Sequence, residues 1–272
     1  MRHAVIFSCL AVILAPLSMP EILSAQSPVE VARAYRQENG SKILRDFSEL
    51  LSIPNVARDS ANILRNAQYI RDQLTARGVT SELLFVDGAP PIVYGELLVP
   101  GAERTLGIYV HYDGQPVDPT MWSNAPWEPT LYTQALENGG QVIPMPADGD
   151  SIDPEWRIYA RSAGDDKAPL GALFAVLDAF NERGIQPTSN LKFFLDGEEE
   201  AGSRHLREYL EGNRAKLDDI DVWLFFDGPV HQSRRPMVTF GVRGVTGLEV
   251  TVYGANRPLH SGHYGNWAPV PG

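Results

Sequence analysis

An α/β fold, with a mostly parallel sheet flanked by helices, is the architecture this sequence predicts, and three features predict it. Short apolar runs of strand length alternate with segments of helical periodicity. Three of those runs stop directly at acidic or imidazole side chains, where open α/β sheets bind ligands. The composition, 43% hydrophobic and 21% charged over 272 residues, suits a chain that buries a substantial core. It excludes disorder, collagen and a disulfide miniprotein. With 23 Lys+Arg against 34 Asp+Glu the net charge is −11, which argues against a nucleic-acid partner held by a basic surface.

The N-terminus reads as a targeting segment. Arg2 and His3 precede an apolar stretch from Ala4 to Leu17, and Leu23-Ser-Ala25 offers a cleavage site, so residues 1–25 are expected to be a signal peptide of a secreted or periplasmic protein. The stretch is too short for a membrane span, so no stable membrane insertion is expected after cleavage; a retained anchor is the alternative. The single cysteine, Cys9, falls inside it, which leaves oxygen and nitrogen as the metal ligands of the mature chain.

Helix-period apolar positions follow between Val29 and Arg77, with Phe47, Leu50 and Leu51 in one segment and Ile63, Ala67, Ile70 and Leu74 in the next. After Gly78 the pattern changes to strands over 81–86 and 92–99, separated by a Gly/Pro turn, and then to a buried run over 105–110 that ends at His111. The segment 113–154, rich in Pro, Gly and Asn, reads as a long ordered loop with no regular structure. Helical patterns over 170–180 and 201–210 alternate with strands over 191–195 and 222–226, and β-rich runs over 236–240 and 247–253 mark entry into a second domain. The expected division is therefore 1–25, 26–235 and 236–272.

The candidate chemistry gathers at strand ends. His111-Tyr-Asp113, Asp196-Gly-Glu-Glu-Glu200 and Asp227 follow three of the predicted strands, and Asp165-Asp-Lys167 precedes a helix. Each alone also fits an ordinary surface feature, since acidic triplets suit helix N-termini and Asp-Gly suits turns. As an ordered set they are more specific. His111-x-Asp113, Asp165-Asp-Lys, Glu198-Glu-Glu-Ala-Gly-Ser203, Asp227 and Leu259-His-Ser-Gly262, with Trp122 and Pro126-Trp127, resemble the M20 family of dinuclear metallopeptidases, particularly its dipeptidase and carnosinase-like branch.

That resemblance implies a zinc-peptidase-like catalytic domain followed by the start of an α+β lid domain. It implies two divalent ions, zinc first, with manganese or cobalt also compatible with this donor set. His111 and Asp227 would bind one ion, Glu200 the other, and Asp165 both; Glu199 would be the general base and Asp113 would orient His111. His260 would reach the substrate from the lid, while Arg243 would either hold the lid strand or bind a substrate carboxylate. The Asp165-Asp166 link matches a cis peptide of the family, and Lys167 is expected to be a structural partner of nearby carboxylates. The approach loop, Ala160-Arg-Ser-Ala-Gly, carries Cβ atoms where the family favours glycine.

The implied activity is hydrolysis of the amide bond of dipeptides or short peptides with a free carboxylate, N-acyl amino acids being the alternative substrate class and a homodimer an expected full-length form. The family's last metal-binding histidine has no counterpart up to Gly272, so the sequence is read as C-terminally truncated. A noncatalytic chain that binds a metal or a partner is the rival reading.

Overall fold

The computed structural model describes residues 27–228, 230–235, 237–255 and 257–264, so the expected signal peptide lies outside the described residues. The chain divides into two compact units at Gly228/Pro229.

The first unit opens with three helices: α1 (Pro28–Glu38), α2 (Gly40–Leu51) and α3 (Ser60–Ala76). Ser27 starts α1 with a capping box closed by Glu30, and the Asp59 side chain caps α3 by accepting from the Asn62 N–H. β1 (Thr80–Leu84), β2 (Ile92–Leu97) and β3 (Thr105–His111) follow. Three short strands come next, β4 (Thr130–Tyr132), β5 (Val142–Ile143) and β6 (Arg157–Tyr159). Helix α4 (Lys167–Arg183) leads to β7 (Asn190–Asp196), and α5 (Leu206–Gly212) and α6 (Arg214–Leu217) lead to β8 (Val222–Phe225).

The main sheet has the order β1-β2-β7-β3-β8. Its β1–β2 and β2–β7 pairs are antiparallel and its β7–β3 and β3–β8 pairs parallel, so β2 alone runs against the other strands. Alternation divides the side chains between two apolar layers. Ile108, Val110, Phe193 and Leu195 pack with Ile63, Ile70, Leu74, Leu170 and Phe174 from α3 and α4, whereas Tyr94, Tyr109 and Phe194 pack with Leu206, Tyr209 and Trp223 on the opposite face.

The sequence reading of 113–154 as structureless needs correction. Its strands β4 and β5 join β6 in a separate three-stranded sheet, because Leu131 and Tyr132 are buried and find backbone partners at 142–143 and 157–158. Strands this short carry little periodic signal.

In the second unit, the described residues within the expected strands 236–240 and 247–253 form no strand; Phe240, Leu248 and Val250 are exposed. β-propensity without a neighbouring ladder leaves N–H and C=O groups to solvent, and strand structure does not form. A single helical turn, α7 (Ser261–Tyr264), is present. Among the described residues no helix is long and apolar enough to cross a membrane.

Candidate metal centre

Sheet register places the site. His111 at the end of β3 pairs with Asp196 at the end of β7, and Tyr109 pairs with Phe225 of β8, so the residues that follow all three strands emerge at one sheet edge. The start of α4 delivers Asp165 and Asp166 to the same edge, across a cis Asp165-Asp166 peptide as the resemblance implied.

Donor atoms of His111, Asp165 and Asp227 lie within 4.8 Å of one another. The His111 Nε2 atom is 2.9 Å from Asp165 Oδ1, 3.8 Å from Glu199 Oε2 and 3.9 Å from Asp227 Oδ2. The imidazole is 1% exposed, while the Asp165 side chain is 73% exposed. Burial alone would lower the pKa of His111, yet Asp113, Asp166 and Glu199 together push it up to about 10. The negative potential that stabilises a proton here equally favours a metal cation. One neutral imidazole with two carboxylates is a suitable donor set for a divalent ion.

Asp113, fully buried, works in two directions. Its Oδ1 lies 3.4 Å from His111 Nδ1, a nitrogen with no well-aligned hydrogen bond among the described residues. The same carboxylate accepts the backbone N–H of Glu199 through Oδ1 and of Glu200 through Oδ2, each at 3.1 Å. Burial pushes its pKa up against the lowering influence of His111. One side chain thus ties the histidine to the loop that carries both glutamates. Asp166 turns inward and accepts the His111 N–H at 3.3 Å; burial raises its pKa to about 7. Burial likewise raises that of Glu199, with His111 acting in the opposite direction.

Glu200 is not in the three-residue group: its Oε2 accepts from Gln115 Nε2 at 2.8 Å. His260 and Arg243 belong to the second unit, where His260 Nδ1 accepts the Gly262 N–H and the imidazole ring lies 4.9 Å from that of His263.

Two expectations about the supporting residues are refined. Lys167 is structural, but its partners are not carboxylates: the fully buried Nζ donates to Leu50 O, Ile53 O and Asn66 Oδ1. The side chain points into the core beneath α2 and α3, away from the acidic edge, and burial lowers its pKa. In the approach loop the conformation that favours glycine falls on Ser162, at φ 62°. The strain of order 1 kcal/mol is offset by the hydrogen bond that Ser162 Oγ accepts from Asn55 Nδ2.

Asn55 is the residue that sequence reasoning missed. Wholly buried, it donates from Nδ2 to Tyr112 O and Ser162 Oγ and accepts from Trp127 Nε1, joining the end of β3, the approach loop and the 113–154 segment. An asparagine after a proline carries no sequence signal for this role. Asp196, by contrast, stood in the acidic run. It accepts from Tyr109 Oη, Ser203 Oγ and the Glu198 N–H, pinning the 197–203 loop. Gly197 is required beside it, since a Cβ there would clash with Tyr112 Oη.

The model of Peptidase family M20/M25/M40 matches residues 107–263. The chain belongs to this family. It is 28% identical over 238 residues to the Cys-Gly metallodipeptidase dug1 of Schizosaccharomyces pombe, covering 83% of this chain and 46% of that protein. With the Beta-Ala-His dipeptidase of Homo sapiens it shares 29% identity over 178 residues, 65% of this chain and 31% of that one. The chain thus spans less than half the length of either relative. Among solved structures, the M20 family metallo-carboxypeptidase Sso-CP2 from Sulfolobus solfataricus superimposes with a TM-score of 0.56 at 31% identity, over 71% of this chain and 39% of that one. Human carnosine dipeptidase 1 shares the fold, with a TM-score of 0.58 at 21% identity over 74% of this chain and 41% of the other.

Proposed function

We propose that this M20 chain carries the reaction centre of a metal-dependent dipeptidase. The observation that carries the reading is the convergence of His111, Asp165 and Asp227, with Glu199 3.8 Å from the imidazole, at the carboxyl edge of the sheet. His111 and Asp227 would hold one divalent ion, Glu200 a second, and Asp165 both, with zinc favoured and manganese or cobalt compatible. Such ions, when bound, polarise an amide carbonyl and acidify water.

The chain's own residues supply the rest. Glu199, half-buried and raised in pKa, accepts the proton of the attacking water and passes it to the leaving amine. Asp113 fixes the orientation of His111 and the backbone of the glutamate loop together. Asp196 and Ser203 hold that loop from the other side. His260 and Arg243 are assigned to the substrate's carbonyl and carboxylate on the resemblance, which would make free C-terminal carboxylates the preferred substrates. The apolar leader supports export to the periplasm or beyond, which N-terminal sequencing of the mature protein checks.

The deciding experiment is hydrolysis of a dipeptide panel, including Cys-Gly and β-Ala-His, beside N-acetyl amino acids, with added zinc, manganese or cobalt and parallel metal analysis. Dipeptide cleavage that a chelator abolishes is expected; cleavage of N-acetyl amino acids alone would overturn the substrate class. A second reading, a metal-binding chain without turnover, is favoured by the engagement of Glu200 with Gln115. Bound metal with no hydrolysis of any panel member would establish it.

A further inference from the structure

The start of α3, the β1–β2 turn and the 198–204 segment wall a cavity of about 650 Å³. Its volume is in the range of small-molecule sites. Leu64, Phe85 and Pro90 give it an apolar lining, and Phe85 is 66% exposed and so accessible to a ligand.

Two arginines, Arg58 and Arg204, line the same cavity from different elements. Neither guanidinium makes a hydrogen bond or an ion pair among the described residues, so both are free to take a ligand. The nearby acidic groups are engaged elsewhere. Asp59 Oδ1 and Oδ2 accept from Asn62, and Glu198, also in the lining, accepts from the N–H and Nδ1 of His205. Two guanidiniums against the single carboxylate of Glu198 leave the lining net positive in a chain of net charge −11. The guanidinium fork is matched in geometry to a carboxylate.

We propose that this cavity is a binding site for a small carboxylate with an apolar body, held by Arg58 and Arg204 at its charged end and by Leu64, Phe85 and Pro90 along its side. It is separate from the metal centre and stands whether or not the peptidase reading holds.

The test is titration calorimetry on the full chain stripped of metal with a chelator and then dialysed free of it, so that neither the metal centre nor the chelator's carboxylates contribute. The probes are N-acetyl-L-phenylalanine, its neutral amide and octanoate. Binding of either acid, at least about tenfold tighter than the amide, is expected; each is worth about 1.4 kcal/mol per tenfold. The stronger of the two acids tells an amino-acid carboxylate from an acyl-chain one. In R58S/R204S the acid's advantage should vanish. Both arginines are exposed, so the double variant should keep the wild-type circular dichroism spectrum. Absence of binding, equal binding of acid and amide, or an advantage that survives R58S/R204S would each overturn the proposal.

Discussion

The two sides of the candidate metal centre are built differently. On one, His111 and Asp113 are sealed in the core with Asp166 and Lys167, and their backbone and side-chain partners are fixed by strand register and helix packing. On the other, Asp165, Asp227 and Glu199 stand open to solvent, with side-chain exposures of 73%, 38% and 37%. The lesson is a division of labour. The buried side sets geometry and stability, while the open side presents negative charge to solvent. Substitutions on the open side should therefore alter chemistry with little effect on folding, and those on the buried side should also cost stability.

The largest expected effect is on the open side. Glu199→Gln keeps size and backbone contacts but removes the proton acceptor, and should lower turnover on the order of 10²–10⁴-fold. Metal content by elemental analysis and the unfolding midpoint should stay at wild-type values. A fully active Glu199→Gln chain would remove Glu199 from the role of base.

Next in size is a core change. Lys167→Met preserves the stem and leaves Leu50 O, Ile53 O and Asn66 Oδ1 without their donor. At 1–3 kcal/mol for each buried acceptor left unpaired, a loss of about 3 kcal/mol or more is expected in urea unfolding. An unchanged midpoint would show that the core tolerates the vacancy, and the division between the two sides would fail at its most buried point.

Asp113→Ala tests the residue that joins them. It removes the carboxylate beside His111 Nδ1 and the acceptor of two backbone N–H groups. Metal affinity, measured by competition with a chelator, should fall 10–100-fold, as for other residues that orient a ligand histidine. Wild-type affinity would mean that strand register alone orients the imidazole.

How far this arrangement was legible in the sequence follows the same division. Strands and helices of the main sheet were readable because Ile108, Phe193 and Leu224 sit in apolar runs and Ile63, Ile70 and Leu74 in helical period. The acidic and imidazole residues were readable because they interrupt those runs. Partners were not. Lys167 beside two aspartates suggests an ion pair, but a helix start can turn one side chain to solvent and the next inward, and only tertiary packing decides that. Asn55 acts through contacts to residues 57 to 107 positions away, beyond any local pattern. The β-rich runs after Val230 show the opposite failure, in which local propensity is present and the pairing that would realise it is absent among the described residues.

The smallest expected effect serves as the surface control for the buried side. Asp59 caps α3, the helix that carries Asn66, and its hydrogen bonds from the Asn62 side chain and backbone hold its pKa below the ordinary 3.8. Asp59→Ala should cost about 1 kcal/mol at neutral pH. Because the folded-state pKa is the lower one, this contribution is present above the unfolded value of 3.8 and is lost as pH falls through the folded value. Urea unfolding of both proteins should show a gap at pH 7 that narrows in acid. A gap that persists in acid would assign the effect to helix propensity instead of the charged cap, and a fall in metal affinity in this variant would show that the α3 terminus and the metal centre are coupled through Asn66 and Lys167.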